Sequence, residues 1–236
     1  MHTYRMSIRI AADGFSLSVD SPPGTAQPLQ HEEKRVAEPT LLPRELHLAL
    51  TRPRIMDYRY ASVEIVADTP ATFLPLEDFR TGEVAAVYRL CFPRTEAKAD
   101  EIHYEILSAL EMVVLFSADA HCVQTVRRLY PEATLRSLQG LILEESNEAM
   151  RHTKGSARHL FVEVGRERMA ICQLGKQKPH FACSYEATHD ADRLYYILSV
   201  WKALSLDAAR DVCHLRGASV ELWEKLACYI HEIVES

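Results

Sequence analysis

Three glycine-containing bends carry residue types that could hold a phosphate group. Glu163-Val164-Gly165-Arg166-Glu167 places an acid, a glycine and a cation at the tip of LFVEVGRERMAICQL (160–174), whose alternating apolar and polar side chains read as a β-hairpin. Ala12-Asp13-Gly14-Phe15-Ser16 sets a carboxylate before a glycine, and Leu215-Arg216-Gly217-Ala218-Ser219 leads from a glycine to a serine. Main-chain N–H groups must come close to a triphosphate, which calls for glycine or a small hydroxyl residue, and a carboxylate must hold the bridging Mg²⁺. The candidate contacts for a phosphate group are therefore Asp13, Gly14, Glu163, Gly165, Arg166, Gly217 and Ser219. Each glycine is explained as an ordinary turn residue, the preferred reading over nucleotide binding, and Ser219 is also a good helix N-cap.

Other chemistry finds less support. The eight glycines form neither a GxGxxG nor a GxxxxGK[ST] pattern. Cys213-His214 is the nearest approach to a metal-ligand pair, but adjacent strand residues face opposite ways. His189-Asp190 reads as a helix start, and His103, His121 and His231 show no ligand spacing, so no metal site is assigned. A two-metal nuclease could use Asp13 and Asp119 at neighbouring strand ends, yet a third acid is lacking. No G-x-S-x-G elbow or activated cysteine points to nucleophilic catalysis. The six cysteines never form C-x-x-C and mostly sit among apolar neighbours, as expected of buried reduced thiols.

The elements that must position these bends follow from patterning. A first hairpin is expected at Tyr4 to Ala12 and Phe15 to Asp20, turning on Asp13-Gly14. The Pro-rich polar stretch 21–40 reads as a loop. Then come helix 43–51, strands 58–67 and 72–74, helix 77–90, and strands 102–107 and 111–117, the last central because of its MVVLF run. Helix 120–130, strand 133–136 and helix 138–150 precede a linker at 152–158. The second half reads as strands 159–164, 168–174 and 180–185, a turn at Gly175, helix 190–204, strand 211–215 and helix 220–234. That last helix carries two apolar stripes, covering about half its circumference. The order suggests two lobes, residues 1–152 with an inserted segment and residues 153–236, each a mixed sheet with helices.

The segment HFACSYEATHDADRLYYILSVWKALSLDAARDVCHLRG (180–217) and the opening IRIAADGFSLSVD resemble the Bacteroidetes family known as DUF3822. The resemblance implies an α/β, two-lobed actin-like (ribonuclease-H-like) fold with no assigned function. Sugar kinases, heat-shock ATPases and assembly proteins share that fold, so it does not choose among them. Active members hold ATP with two Asp-x-Gly-x-Thr hairpins and a Gly-Gly turn. Here the first carboxylate, Asp13, is displaced by one residue, and Phe15 stands where a small residue is needed. The second bend bears the long side chains of Arg166 and Glu167, and the third keeps Gly217 alone.

With 236 residues, 47% of them hydrophobic, the chain can build two cores, while a formal net charge of −6 supplies no basic field for nucleic acid. No stretch approaches the roughly 20 apolar residues of a membrane span, and the chain reads as cytoplasmic. The expectation is a non-catalytic binding or assembly protein with a degenerate nucleotide site. It would need no cofactor, and would engage a protein partner or itself through the groove between lobes or an exposed strand edge. The alternative is an ATP-binding switch.

Overall fold

A computed structural model describes residues 4–20, 30–152, 156–174 and 179–235. In chain order its elements are strands β1 (Tyr4–Ala11), β2 (Gly14–Asp20) and β3 (Gln30–Arg35), helices α1 (Leu42–Leu50) and α2 (Pro53–Met56), strands β4 (Tyr60–Ala67) and β5 (Ala71–Pro75), and helix α3 (Val84–Cys91). Strands β6 (Ile102–Leu107) and β7 (Met112–Ser117), helix α4 (Ala120–Leu129), strand β8 (Thr134–Ser137) and helix α5 (Leu138–His152) follow. The remainder is β9 (His159–Val164), β10 (Arg168–Leu174), β11 (Pro179–Glu186), α6 (Asp190–Ala203), β12 (Val212–Arg216), α7 (Val220–Ala227) and β13 (Glu232–Glu235). The chain divides into two compact units, one of Met1–Thr72, Phe79–Glu105 and Val114–Gly140, the other of Phe73–Asp78, Ile106–Val113 and Leu141–Ser236.

The first unit is built on a sheet of order β3-β2-β1-β4-β8, in which β1 runs antiparallel to β2 and parallel to β4. Alternation puts Met6, Ile8, Ile10, Leu17 and Val19 on its buried face. Helices α1, with Leu42, Leu46, Ala49 and Leu50 buried, and α4, with Cys122, Val123 and Val126 buried, supply the matching stripes. Between β4 and α4 the chain adds a three-stranded sheet of order β5-β7-β6, so the apolar β7 is central, but in a separate sheet from β1.

Two local expectations change here. The first hairpin turns on Ala12-Asp13, neither at positive φ, and Gly14 opens β2 opposite Ala11. Gly14 has φ +156°, and a Cβ on it would stand 2.1 Å from the Lys34 carbonyl oxygen, so the glycine serves the close approach of β3. The stretch 21–40 is also not all loop: residues 30–35 form β3, while 21–29 lie outside the described residues. An edge strand reading QHEEKR offers no apolar period to detect, because its side chains serve ion pairs instead. Glu32 accepts from Arg52 at 2.7 Å and from Arg54 at 2.5 Å, and Lys34 pairs with Glu45.

In the second unit a sheet of order β11-β10-β9-β12-β13 combines an antiparallel meander with parallel additions. Leu160, Val162, Val164, Met169, Ile171, Cys213 and Leu215 form a core with Ile197, Val200 and Trp201 of α6 and Leu222 and Leu226 of α7. The last helix is shorter than its two stripes suggest. It stops at Ala227, the chain turns through Ile230, and residues 232–235 become β13, pairing Ile233 with Cys213. The β-branched Ile233 and Val234 suit a strand, and the unpaired edge of β12 supplies the hydrogen-bond ladder that helix periodicity could not reveal. Val220, the first residue of α7, is 76% exposed. The turn expected at Gly175 lies outside the described residues, as does part of the expected linker.

All six cysteines are free thiols; Cys122, Cys172 and Cys213 are buried, Cys183 half-buried, and Cys91 and Cys228 exposed. Among the described residues no helix is long and apolar enough to cross a membrane.

The glycines give a paired test of this account. Gly14→Ala is expected to cost at least about 2 kcal/mol because main chain must move to admit the methyl group. Gly82→Ala, where a Cβ would meet nothing within 4 Å, should stay within about 0.5 kcal/mol. Urea denaturation followed by circular dichroism measures both.

Candidate functional site

The second unit brings five of the sequence candidates together. Parallel pairing sets Arg216 of β12 opposite Glu163 of β9, and this register places the β12–α7 turn beside the β9–β10 bend. Gly217, at φ +73°, is required there twice over: the left-handed backbone favours glycine, and a Cβ would lie 2.4 Å from the Val164 carbonyl oxygen. Ser219 caps α7, its hydroxyl oxygen accepting from the Leu222 N–H at 3.0 Å. The same hydroxyl donates to Asp190 at the start of α6.

Asp190 in turn is paired with Arg193, one helical turn on, at 2.7 Å. The Ser219 hydroxyl and the Arg193 guanidinium together hold the Asp190 carboxyl below the usual carboxylate range, against a smaller opposing effect of burial. Arg193 also donates to the carbonyl oxygens of Gly165 at 3.0 Å, Arg166 at 2.8 Å and Ala187 at 3.1 Å. The bend thus directs carbonyl groups at a half-buried cation, and the Gly165 N–H is used within the hairpin, donating to the Arg168 carbonyl at 2.9 Å. Glu163 meets the Arg216 guanidinium, which also contacts Glu145 of α5 at 2.9 Å.

On this side of the sheet a cavity of about 100 Å³ is lined by Glu145, Ser146, Phe161, Glu163, His214 and Arg216, among others. His214 stacks on Phe161, ring centroids 4.4 Å apart and planes 13° from parallel, and its Nε2 lies 2.9 Å from Nδ1 of His159 on β9. One ring must donate and the other accept. Burial, with the neighbouring imidazole, brings His214 down to about 4; burial also lowers His159, against the pull of Glu232 and Asp211. Nearby, Ser146 Oγ lies 3.5 Å from Cys172 Sγ, and burial pushes that thiol up to about 12, so it is no thiolate nucleophile at neutral pH.

Asp13 and Gly14 belong to the first unit, where Gly14 serves β3 and the Asp13 carbonyl accepts from the Val36 N–H at 2.9 Å. Asp119 caps α4, accepting from the Cys122 N–H at 2.7 Å. Among the described residues no group of three or more His, Cys, Asp or Glu side chains is placed to hold a metal ion. Sequence reasoning missed Arg193 and the histidine pair. Its one available signal was the Asp190/Arg193 spacing; the two histidines are 55 positions apart and meet only through strand pairing.

Arg193→Ala is expected to cost about 3 kcal/mol, since three carbonyl groups and Asp190 lose a shared donor. Arg193→Lys should recover less than half of that, because a point charge cannot fork among several acceptors. Urea midpoints of the two variants decide it. A histidine whose folded pKa is depressed contributes stability that is complete above its unfolded pKa and lost as pH falls. Stability should therefore decline between about pH 6.5 and pH 4, and His214→Asn should flatten that decline in urea titrations at pH 7 and pH 5.

The chain is similar to several solved structures. A Bacteroides thetaiotaomicron protein with an actin-like ATPase fold and unknown function shares 26% identity and a TM-score of 0.81, over 99% of this chain and 90% of that one. The PilM–PilN type IV pilus biogenesis complex gives 13% identity and a TM-score of 0.59, over 100% and 89%. The ethanolamine utilization protein EutJ from Carboxydothermus hydrogenoformans gives 10% identity and a TM-score of 0.52, over 98% and 84%. No curated protein matches the chain. The fold is accordingly actin-like, mixed α/β with two sheet-rich lobes. With residues 1–233 matching the profile described as "Protein of unknown function (DUF3822)", the chain belongs to the DUF3822 family.

Proposed function

We propose that this chain is a non-catalytic cytoplasmic binding or assembly protein, an actin-like fold whose nucleotide site is degenerate and whose function is to engage a protein partner or a second copy of itself. The observation that carries the reading is the Arg193 network. A phosphate-binding bend turns main-chain N–H groups toward its ligand. This bend spends its Gly165 N–H inside the hairpin and presents the Gly165 and Arg166 carbonyls to a guanidinium. Glu163, the acid that would hold Mg²⁺, is committed to Arg216. Gly14 and Gly217 answer to the close approach of other main chain.

Similarity to a structure of the PilM–PilN complex supports the assembly half of the proposal, since that complex pairs a protein of this fold with another chain. A net charge of −6 argues against nucleic acid as the partner.

Titration calorimetry with Mg-ATP and a thermal melt in its presence test the reading. Millimolar nucleotide should give no saturable heat and leave the melting temperature unchanged within about 1 °C. A dissociation constant below about 0.1 mM, abolished by Arg166→Ala, would establish the ATP-binding switch instead.

A further inference from the structure

The first unit contains a cavity of about 220 Å³ away from every bend discussed under the nucleotide reading except the first, whose Ala12 touches its edge. Its floor is apolar and buried: Ile10 from β1, Ile65 and Ala67 from β4, Leu42 from α1, and Ala118 and Val123 at the start of α4, none more than 8% exposed. Strands β1 and β4 are parallel, and the cavity gathers the last residues of both with the residues that lead into α4. In open α/β sheets this carboxyl end of parallel strands is where ligands enter. The space exists because Ala67 and Ala118 stand where larger apolar side chains would fill the layer between sheet and helices.

The polar side chains on the wall are Thr69 and Asp119. The Thr69 hydroxyl proton is given to the Ser117 carbonyl at 2.7 Å, which leaves its oxygen as an acceptor. Asp119 accepts from the Cys122 N–H in capping α4 and from the Cys122 thiol, and a carboxylate with about four lone-pair sites still has acceptor capacity left. The wall therefore asks its ligand for a donor. The N-terminal end of α4 offsets the Asp119 charge, which favours a neutral N–H over an ammonium group. A cavity of about 150 Å³ takes benzene, so this one has room for about nine non-hydrogen atoms, one fused ring system and no peptide backbone.

We infer that the first unit binds a free, uncharged, flat apolar molecule of about nine non-hydrogen atoms bearing a single N–H donor, held between β1, β4, α1 and α4 with its donor toward Asp119 and Thr69. The site is independent of the nucleotide reading and stands or falls separately from it.

Indole is the probe, benzofuran the same shape without the donor, and N-acetyl-tryptophanamide the same ring carried on a peptide unit. Methyl-detected NMR of the full chain should show saturable shifts at Ile10, Ile65 and Val123 with indole, with a dissociation constant on the order of 0.1 mM. Benzofuran should bind at least about threefold more weakly, and N-acetyl-tryptophanamide should produce no shift at these methyls. Ala118→Val, which narrows the space, should weaken indole at least about tenfold while the remaining methyl spectrum stays native. Asp119→Asn, which retains a capping oxygen, should reduce the preference for indole over benzofuran. Absence of shifts at 2 mM indole in the unmodified chain, or equal binding of N-acetyl-tryptophanamide, would overturn the inference. So would indole shifts unchanged by Ala118→Val.

Discussion

The second unit depends on how closely two main chains approach where β12 ends. The Val164 carbonyl comes so near Gly217 that any side chain at this position would displace it. Because β12 is held in register with β9 up to Arg216 and Glu163, the turn into α7 has one place to go, directly over the end of the neighbouring hairpin. Ser219 is thereby set against Asp190, Asp190 against Arg193, and Arg193 against the carbonyls of the bend. Two helix starts, one hairpin tip and one strand end share a single polar network, and the contacts that join them, Ser219 to Asp190 and Arg193 to the bend, depend on the strands keeping this register.

The actin-like plan lies in the order and pairing of strands. At the hairpin bend the Gly165 N–H and the Gly165 and Arg166 carbonyls all find partners within the protein. Main-chain polar groups must be paired wherever they are buried. Side chains of the protein can supply those partners, and an arginine with five donors meets several carbonyl groups at once.

Much of the fold was legible because its strands alternate or run apolar. β9 and β10 fall at the residues their patterning gives, and the apolar β7 is a central strand. What escaped had no local signal. β3 is polar on both faces because ion pairs to Arg52, Arg54 and Glu45 hold it, and an apolar period is absent. β13 was hidden because Ile230, Ile233 and Val234 continue a helical spacing by coincidence, and only the open edge of β12 makes them a strand. At the candidate site the three glycines and Ser219 were visible as types, but what each glycine faces is a property of the packed chain. Arg193 reads from sequence as one more surface residue of a helix, and its inward role exists only once β9 and α6 are side by side.

The distribution of thiols has a practical side. Burial raises the pKa of Cys122, Cys172 and Cys213 and keeps them protonated, while Cys91 in the first unit and Cys228 in the second stand in solvent. A maleimide dye added to the native protein therefore finds one ready handle in each unit. Without any engineered change, the molecule carries a fluorophore attachment point in each half, and replacing either cysteine by serine would leave the other half as the one that reports.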